Sequence, residues 1–136
     1  MKKHALQTAS LWLLVTLALT SAYGQSITVK VPFEFLVSDK VFPGGRYSVS
    51  STRDHLTVHD STGKAVFTAI ANSVSGRHTG ATGQIVFHCY GDRCFLSELW
   101  TPTRDNGSQL LPSRYEKEFA RLGKGTEFAL LEEHQK

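Results

Sequence analysis

The stretch "ITVKVPFEFLV", from Ile27 to Val37, alternates apolar and polar side chains with a period of two. Ile27, Val29, Val31, Phe33, Phe35 and Val37 share one face. Thr28, Lys30, Pro32 and Glu34 take the other, and only Leu36 breaks the rule. Successive side chains of a strand point to opposite faces, so the pattern predicts a strand with one buried face. A lone amphipathic strand is not stable in water, and the rest of the chain must supply a sheet. Pro32 lacks an amide hydrogen, which places this strand at an edge or puts a bulge in it.

The segments that follow are short and punctuated by turns. Pro43-Gly44 suits a type II turn with Gly44 at the position of positive φ. "RYSVSS" and "HLTVHD" read as strands, the latter with Leu56 and Val58 inward. "DSTG", Asp60 to Gly63, reads as a hairpin loop with Gly63 at its left-handed end, and "KAVFTAIA" continues as a strand. Residues 72–83, "NSVSGRHTGATG", break the pattern with a polar, glycine-containing stretch. Breaks of this length are functional or mobile. Arg77 and His78 at its centre are candidates to meet an anionic ligand, with two solvated side chains on a connection as the plainer alternative.

"GQIVFHCYGDRCFLSELW" holds both cysteines of the chain. Gly91-Asp92 between two β-branched and aromatic flanks reads as a two-residue hairpin turn. That register pairs Tyr90 with Arg93 and sets Cys89 opposite Cys94. The cysteine pair is then non-hydrogen-bonded, with Cα atoms about 4.5 Å apart, which a disulfide can span. The closed loop is short, so the bridge contributes about 2 kcal/mol. Free thiols, a redox centre and a metal site compete with this staple. Redox centres more often use C-x-x-C, and His88 points to the strand face opposite Cys89, away from any shared zinc site. One hairpin face offers Ile85, Phe87, Cys89, Cys94, Leu96 and Trp100; the other offers Val86, Tyr90, Phe95 and Leu99. Two apolar faces predict a central position with something packed outside the sheet.

A helix over about 113–122 is the natural cover. Ser113 and Glu116 form a capping box, and Tyr115, Phe119 and Leu122 make an apolar stripe. Gly123 would end it as a left-handed cap. "TEFALLEE" fits a final strand or a second helix, and is read as a strand. The expected architecture is mainly β: an antiparallel barrel or sandwich of about six to eight strands with one C-terminal amphipathic helix.

The N-terminus reads differently. Lys2 and Lys3 precede the apolar run "LWLLVTLAL", and Ala22 and Gly24 close it with small-x-small spacing. This is the pattern of a secretory signal peptide over residues 1–24, leaving a single β-rich domain over 25–136. The run is too short to span a bilayer comfortably, so no transmembrane segment is expected after cleavage. Loss of Lys2 and Lys3 lowers the net charge from +3 to +1. With no basic stripe left, a nucleic-acid partner has little electrostatic support. Export places the protein in the periplasm or outside the cell, where disulfides persist.

Chemistry is sparse. His55 and His59 share a strand face but stand two steps apart, about 13 Å, too far for one metal. Glu98 lies on the expected face of Leu96 and Trp100, opposite Ile85. If that face is the core, its carboxyl is raised and could anchor a ligand beside the indole of Trp100; otherwise it pairs with an arginine or faces water. No carboxylate pair, nucleophile elbow, phosphate loop or HExxH appears, so no catalytic residue, metal ligand or cofactor is assigned.

"VPFEFLVSDKVFPGGRYSV" resembles the opening block of a family of small exported proteins from soil bacteria that have no established activity. That block has the form VPFxF, a short basic turn, then PAGxYxV, and here Gly44 stands where alanine is usual. "IVFHCYGDRCFLSELW" and "LPSRYEKEFA" resemble the later blocks, a Tyr-Gly-Asp hairpin and a serine-capped helix. The resemblance covers most of the mature chain and implies export and an all-β domain. It carries over no catalytic residue. Three functions remain to separate: a non-enzymatic module binding a protein, envelope component or small ligand; a lipocalin-like carrier, which needs Ile27–Val37 to line a cavity; and a small hydrolase or lyase, which needs Glu98 gathered with His88 or His78.

Overall fold

Pro32 divides the alternating segment in two. The computed structural model describes residues 26–76, 82–102 and 106–133. In it, β1 (Ser26–Val31) and β2 (Phe35–Val37) are separate strands, a correction to the single strand expected over Ile27–Val37. The alternation nevertheless holds across the break: Ile27, Val29, Val31, Phe35 and Val37 are all buried. Having no amide hydrogen to offer, Pro32 is a natural place to stop pairing with one neighbour and start with another. β1 pairs antiparallel with β4 (Gly45–Thr52). β2 turns back on β3 (Lys40–Phe42) and runs parallel to β8 (Arg93–Trp100).

The remaining elements are β5 (His55–His59), β6 (Ala65–Ser75), β7 (Gln84–Tyr90), β9 (Asn106–Leu110), α1 (Arg114–Leu122) and β10 (Thr126–Leu131). The strand path is β1-β4-β5-β6-β9-β8-β2-β3, with β7 on the other side of β8 and β10 beyond β7. β6 is the link between layers. Its first half pairs with β5 as far as Ile70, and its second half pairs with β9 from Ala71 onward. It also occupies residues 72–75, so the expected polar break at 72–83 begins later; Arg77 and His78 lie outside the described residues.

Among the described residues ten strands thus form one mixed sheet folded over a single core. The barrel alternative is corrected, because β1 and β10 do not pair as strands and the sheet does not close. A short strap crosses the seam: Glu132 N donates to Gly83 O at 2.8 Å and Glu133 N to Thr28 O at 2.9 Å. Glu133 also meets Arg46 at 3.1 Å. The strap and Pro32 together cover an edge that would otherwise invite another strand.

The core is aromatic at its centre. Phe35 makes edge contacts with Tyr47 and Phe87, with ring centroids 5.1 and 5.5 Å apart. Tyr47 donates its hydroxyl to Pro43 O at 2.7 Å, tying down the turn before β4. The turn itself departs from expectation. Gly44 does not hold the positive φ; it is glycine because a Cβ there would stand 3.0 Å from Val31 O. Gly63 and Gly91 do adopt positive φ, at 86° and 65°, as their turns require.

The β7–β8 hairpin keeps the expected register near its turn: Tyr90 opposite Arg93, Cys89 opposite Cys94, and a disulfide joins the cysteines. Beyond Phe87 the register slips by one, so Glu98 faces Val86 and Leu99 faces Ile85. Ser97 is the extra residue of this bulge, which shifts every later side chain to the other face. Leu99 therefore enters the core in place of Trp100, and Glu98 leaves the face of Leu96. Outside the hairpin, α1 lays Tyr115 and Phe119 on Phe95, with ring centroids 6.1 and 6.0 Å away. Ser113 caps it by accepting from Glu116 N at 3.1 Å. Leu122 is 84% exposed and takes no part in the buried stripe. Gly123 is extended, with φ −177°, and not left-handed.

Candidate functional site

The outer face of the hairpin, where α1 ends, carries the described residues whose chemistry packing does not explain. Cys89 faces the core, so its neighbours His88 and Tyr90 face outward. Opposite His88 stand Phe95 on β8 and Glu127 on β10. The Nε2 atom of His88 is sealed from solvent and has no hydrogen-bond partner. It stands 3.5 Å from Glu127 Oε1 without making a hydrogen bond. Buried polar atoms are nearly always satisfied, so an orphan at the wall of an opening points to an absent partner.

Glu116 is the second anomaly. It is only 6% exposed although it is a carboxylate on a surface helix. In a full capping box this side chain would reach back to the cap amide. Here it is buried, and its carboxylate has no hydrogen-bond partner among the described residues. Burial pushes its pKa up, and His88 partly offsets that. The same enclosure raises the phenol of Tyr90, with a smaller contribution from Glu116.

His88 and Tyr90 border a groove of about 530 Å³ that Ala120, Lys124, Gly125 and Glu127, among others, also line. Ala120 lies one helical turn from Glu116 on the same side of α1. Gly125 shapes the wall: a Cβ there would come within 2.6 Å of the Tyr90 ring. Imidazole, carboxyl, phenol and ammonium groups around one opening can hold a polar ligand or exchange protons with it.

The residues singled out by sequence fall elsewhere. Glu98 Oε2 accepts from Trp100 Nε1 at 2.7 Å, which clamps the indole. Trp100 is 8% exposed and lies against Gly107 and Gly76, where a Cβ would meet the ring at 2.7 and 2.6 Å. The pair braces the β8–β9 face and does not reach the His88 groove. His55 bonds Asp54 at 2.7 Å through Nδ1. No cluster of three metal-ligating side chains occurs among the described residues. No helix among them is long and apolar enough to cross a membrane.

Sequence reasoning used Glu116 as a cap and passed over it as a site. The missed signal was its place on the helix: Glu116, Phe119 and Ala120 follow the i, i+3, i+4 rule and share one face. No protein-family model, curated protein or solved structure matches the chain.

Proposed function

We propose that the chain is an exported β-domain that acts as a binding module, with the groove at the end of α1 as its binding surface. One observation carries this reading: His88 Nε2 lies sealed from solvent without a hydrogen bond at the wall of a groove of about 530 Å³. A polar group of a protein, envelope component or small ligand entering there would supply the missing hydrogen bond. Export is supported by the basic start, apolar run and small-residue end of residues 1–24, and by the Cys89–Cys94 disulfide. The resemblance to small exported soil-bacterial proteins points the same way. The periplasm or the extracellular space is the working compartment.

A lipocalin-like carrier has less support. The face from Ile27 to Val37 packs into the core, with Phe33 5.3 Å from Phe87 and Phe35 5.7 Å from Phe42 between ring centroids. Acid–base catalysis is the second reading, favoured by a carboxyl with a raised pKa near a histidine. It differs from the hydrolase expectation in using Glu116 and His88 in place of Glu98.

Native mass spectrometry of the protein from an exporting host tests the proposal. A chain that begins at Gln25, carries an intact disulfide and retains a small-molecule or partner mass supports it. Gly125→Leu, which fills the groove against Tyr90, is expected to shed that mass. A chain that begins at Met1 with free thiols overturns export. A retained mass that survives Gly125→Leu overturns the groove as its site.

A further inference from the structure

A second opening lies at the other side of the fold, and it is built from both layers of the core. On β4, the inward side chains run Tyr47, Val49 and then Ser51, which pairs across to the buried Leu56. On β6 the inward series passes from Ala71 to Ser73. On β9 it passes from Leu110 to Ser108 and Asn106. Alternate residues of a strand share a face, so each series continues the core-facing side of its strand out to an exposed rim at Ser73 and Asn106. All three change from apolar to hydroxyl or amide at the same end of the core.

The result is a mouth of about 450 Å³ lined by Ser51, Thr52, Arg53, Ser73, Asn106 and Ser108, with the Gly107 backbone as part of the wall. The Ser51 and Ser108 hydroxyls hydrogen-bond each other across the layers, which holds the mouth at a set width. Behind Gly107 stands the indole of Trp100, clamped by Glu98, so this wall cannot move inward. Among the described residues, the side chains that line the mouth include four hydroxyls, one amide and one guanidinium, and neither a carboxylate nor a large apolar group. Arg53 forms no ion pair or hydrogen bond among the described residues. The adjacent carboxylate, Asp54, is engaged by His55.

We infer that this mouth binds an oxyanion carried by a sugar, a carboxylate or a phosphate on a polyhydroxylated ring. Arg53 is the charged partner, for which a planar fork suits either oxyanion. Ser51, Thr52, Ser73, Asn106 and Ser108 provide hydroxyl and amide groups that both donate and accept, as ring hydroxyls require. The site is independent of the His88 groove, and neither needs the other to be occupied.

Titration of the isotope-labelled exported protein, followed by backbone amide shifts, tests it. The probes are glucuronate and a glucose phosphate, with glucose as the neutral control and inorganic phosphate as the bare oxyanion. Both charged sugars are expected to move the amides of Ser51 to Arg53, Ser73 and Asn106 to Ser108. Arg53→Ala is expected to weaken both about tenfold, the size of a lost charge-assisted hydrogen bond. Arg53 is exposed, so the variant should keep the spectrum of the folded protein elsewhere. Equal binding of glucose, equal binding by Arg53→Ala, or no shift at the mouth would each overturn the oxyanion site. Inorganic phosphate binding as tightly as the sugar phosphate would overturn the sugar half of the proposal.

Discussion

The two faces of the β7–β8 hairpin meet different interiors. The inner face presents Ile85, Phe87, Leu96 and Leu99 to a core that is apolar and ringed by aromatic edge contacts. The outer face presents Val86, His88, Tyr90 and Phe95, and its cover is a single nine-residue helix. The inner interior leaves no polar group without a partner among the described residues. The outer one encloses an imidazole nitrogen that makes no hydrogen bond, near a largely buried carboxyl. The same two strands therefore serve stability on one side and hold unspent chemistry on the other. Sealing His88 Nε2 without a hydrogen bond costs free energy that a fold built for stability alone would avoid.

Phe87→Ala is expected to have the largest effect on the inner face. Phe87 is 1% exposed and touches the rings of Phe33 and Phe35. Its loss is expected to cost about 3–5 kcal/mol in urea denaturation. Phe95→Ala removes the outer counterpart, a fully buried ring that meets Tyr90, Tyr115 and Phe119. A cost of about 3 kcal/mol is expected, expressed as lost hydrogen-exchange protection in α1 before the core strands. Loss of protection in the core strands at the same rate would show that the two layers unfold as one.

Replacing both cysteines by serine comes next. The bridge closes a short loop at the hairpin tip, so about 2 kcal/mol should disappear from both layers alike. Glu116→Gln has the smallest effect and separates the layers most clearly. Burial holds the proton on Glu116, so the folded state binds more protons than the unfolded chain over the interval between the unfolded and folded pKa values. Stability should therefore fall as pH rises through that interval and level off above it. His88 on β7 acts against this shift, and Glu127 on β10 lies next to His88. In Glu116→Gln the decline should be absent. A wild-type-to-variant difference that stays constant with pH would remove Glu116 as the titrating group.

Much of this was legible in the chain. The alternation from Ile27 to Val37 assigned five core side chains correctly even though Pro32 cut the strand, because Cβ direction depends on the local backbone alone. Gly91-Asp92 set the hairpin turn, and with it the cysteine pairing. Ser113 marked the start of α1. What was not legible has a common cause. "NGSQL" is polar and carries no strand pattern, yet Asn106–Leu110 becomes a strand because β6 and β8 both offer it an open edge. "KVF" is too short to carry a pattern, and Lys40–Phe42 is a strand only because β2 turns back on it. In "CFLSELW" either register buries an apolar residue, so nothing local announces the bulge at Ser97.

Composition and periodicity by themselves determined a mainly β chain, the inward side chains of its first strands, its tight turns, its staple and its capped helix. These follow from φ preferences and the two-residue repeat, which act over a few neighbouring residues. The tertiary structure alone decided that Leu99 and not Trp100 enters the core, that Glu98 serves to clamp an indole, and that Glu116 is largely buried near His88. Each of those depends on partners far away in the chain, and the energy of such contacts leaves no mark on the local pattern.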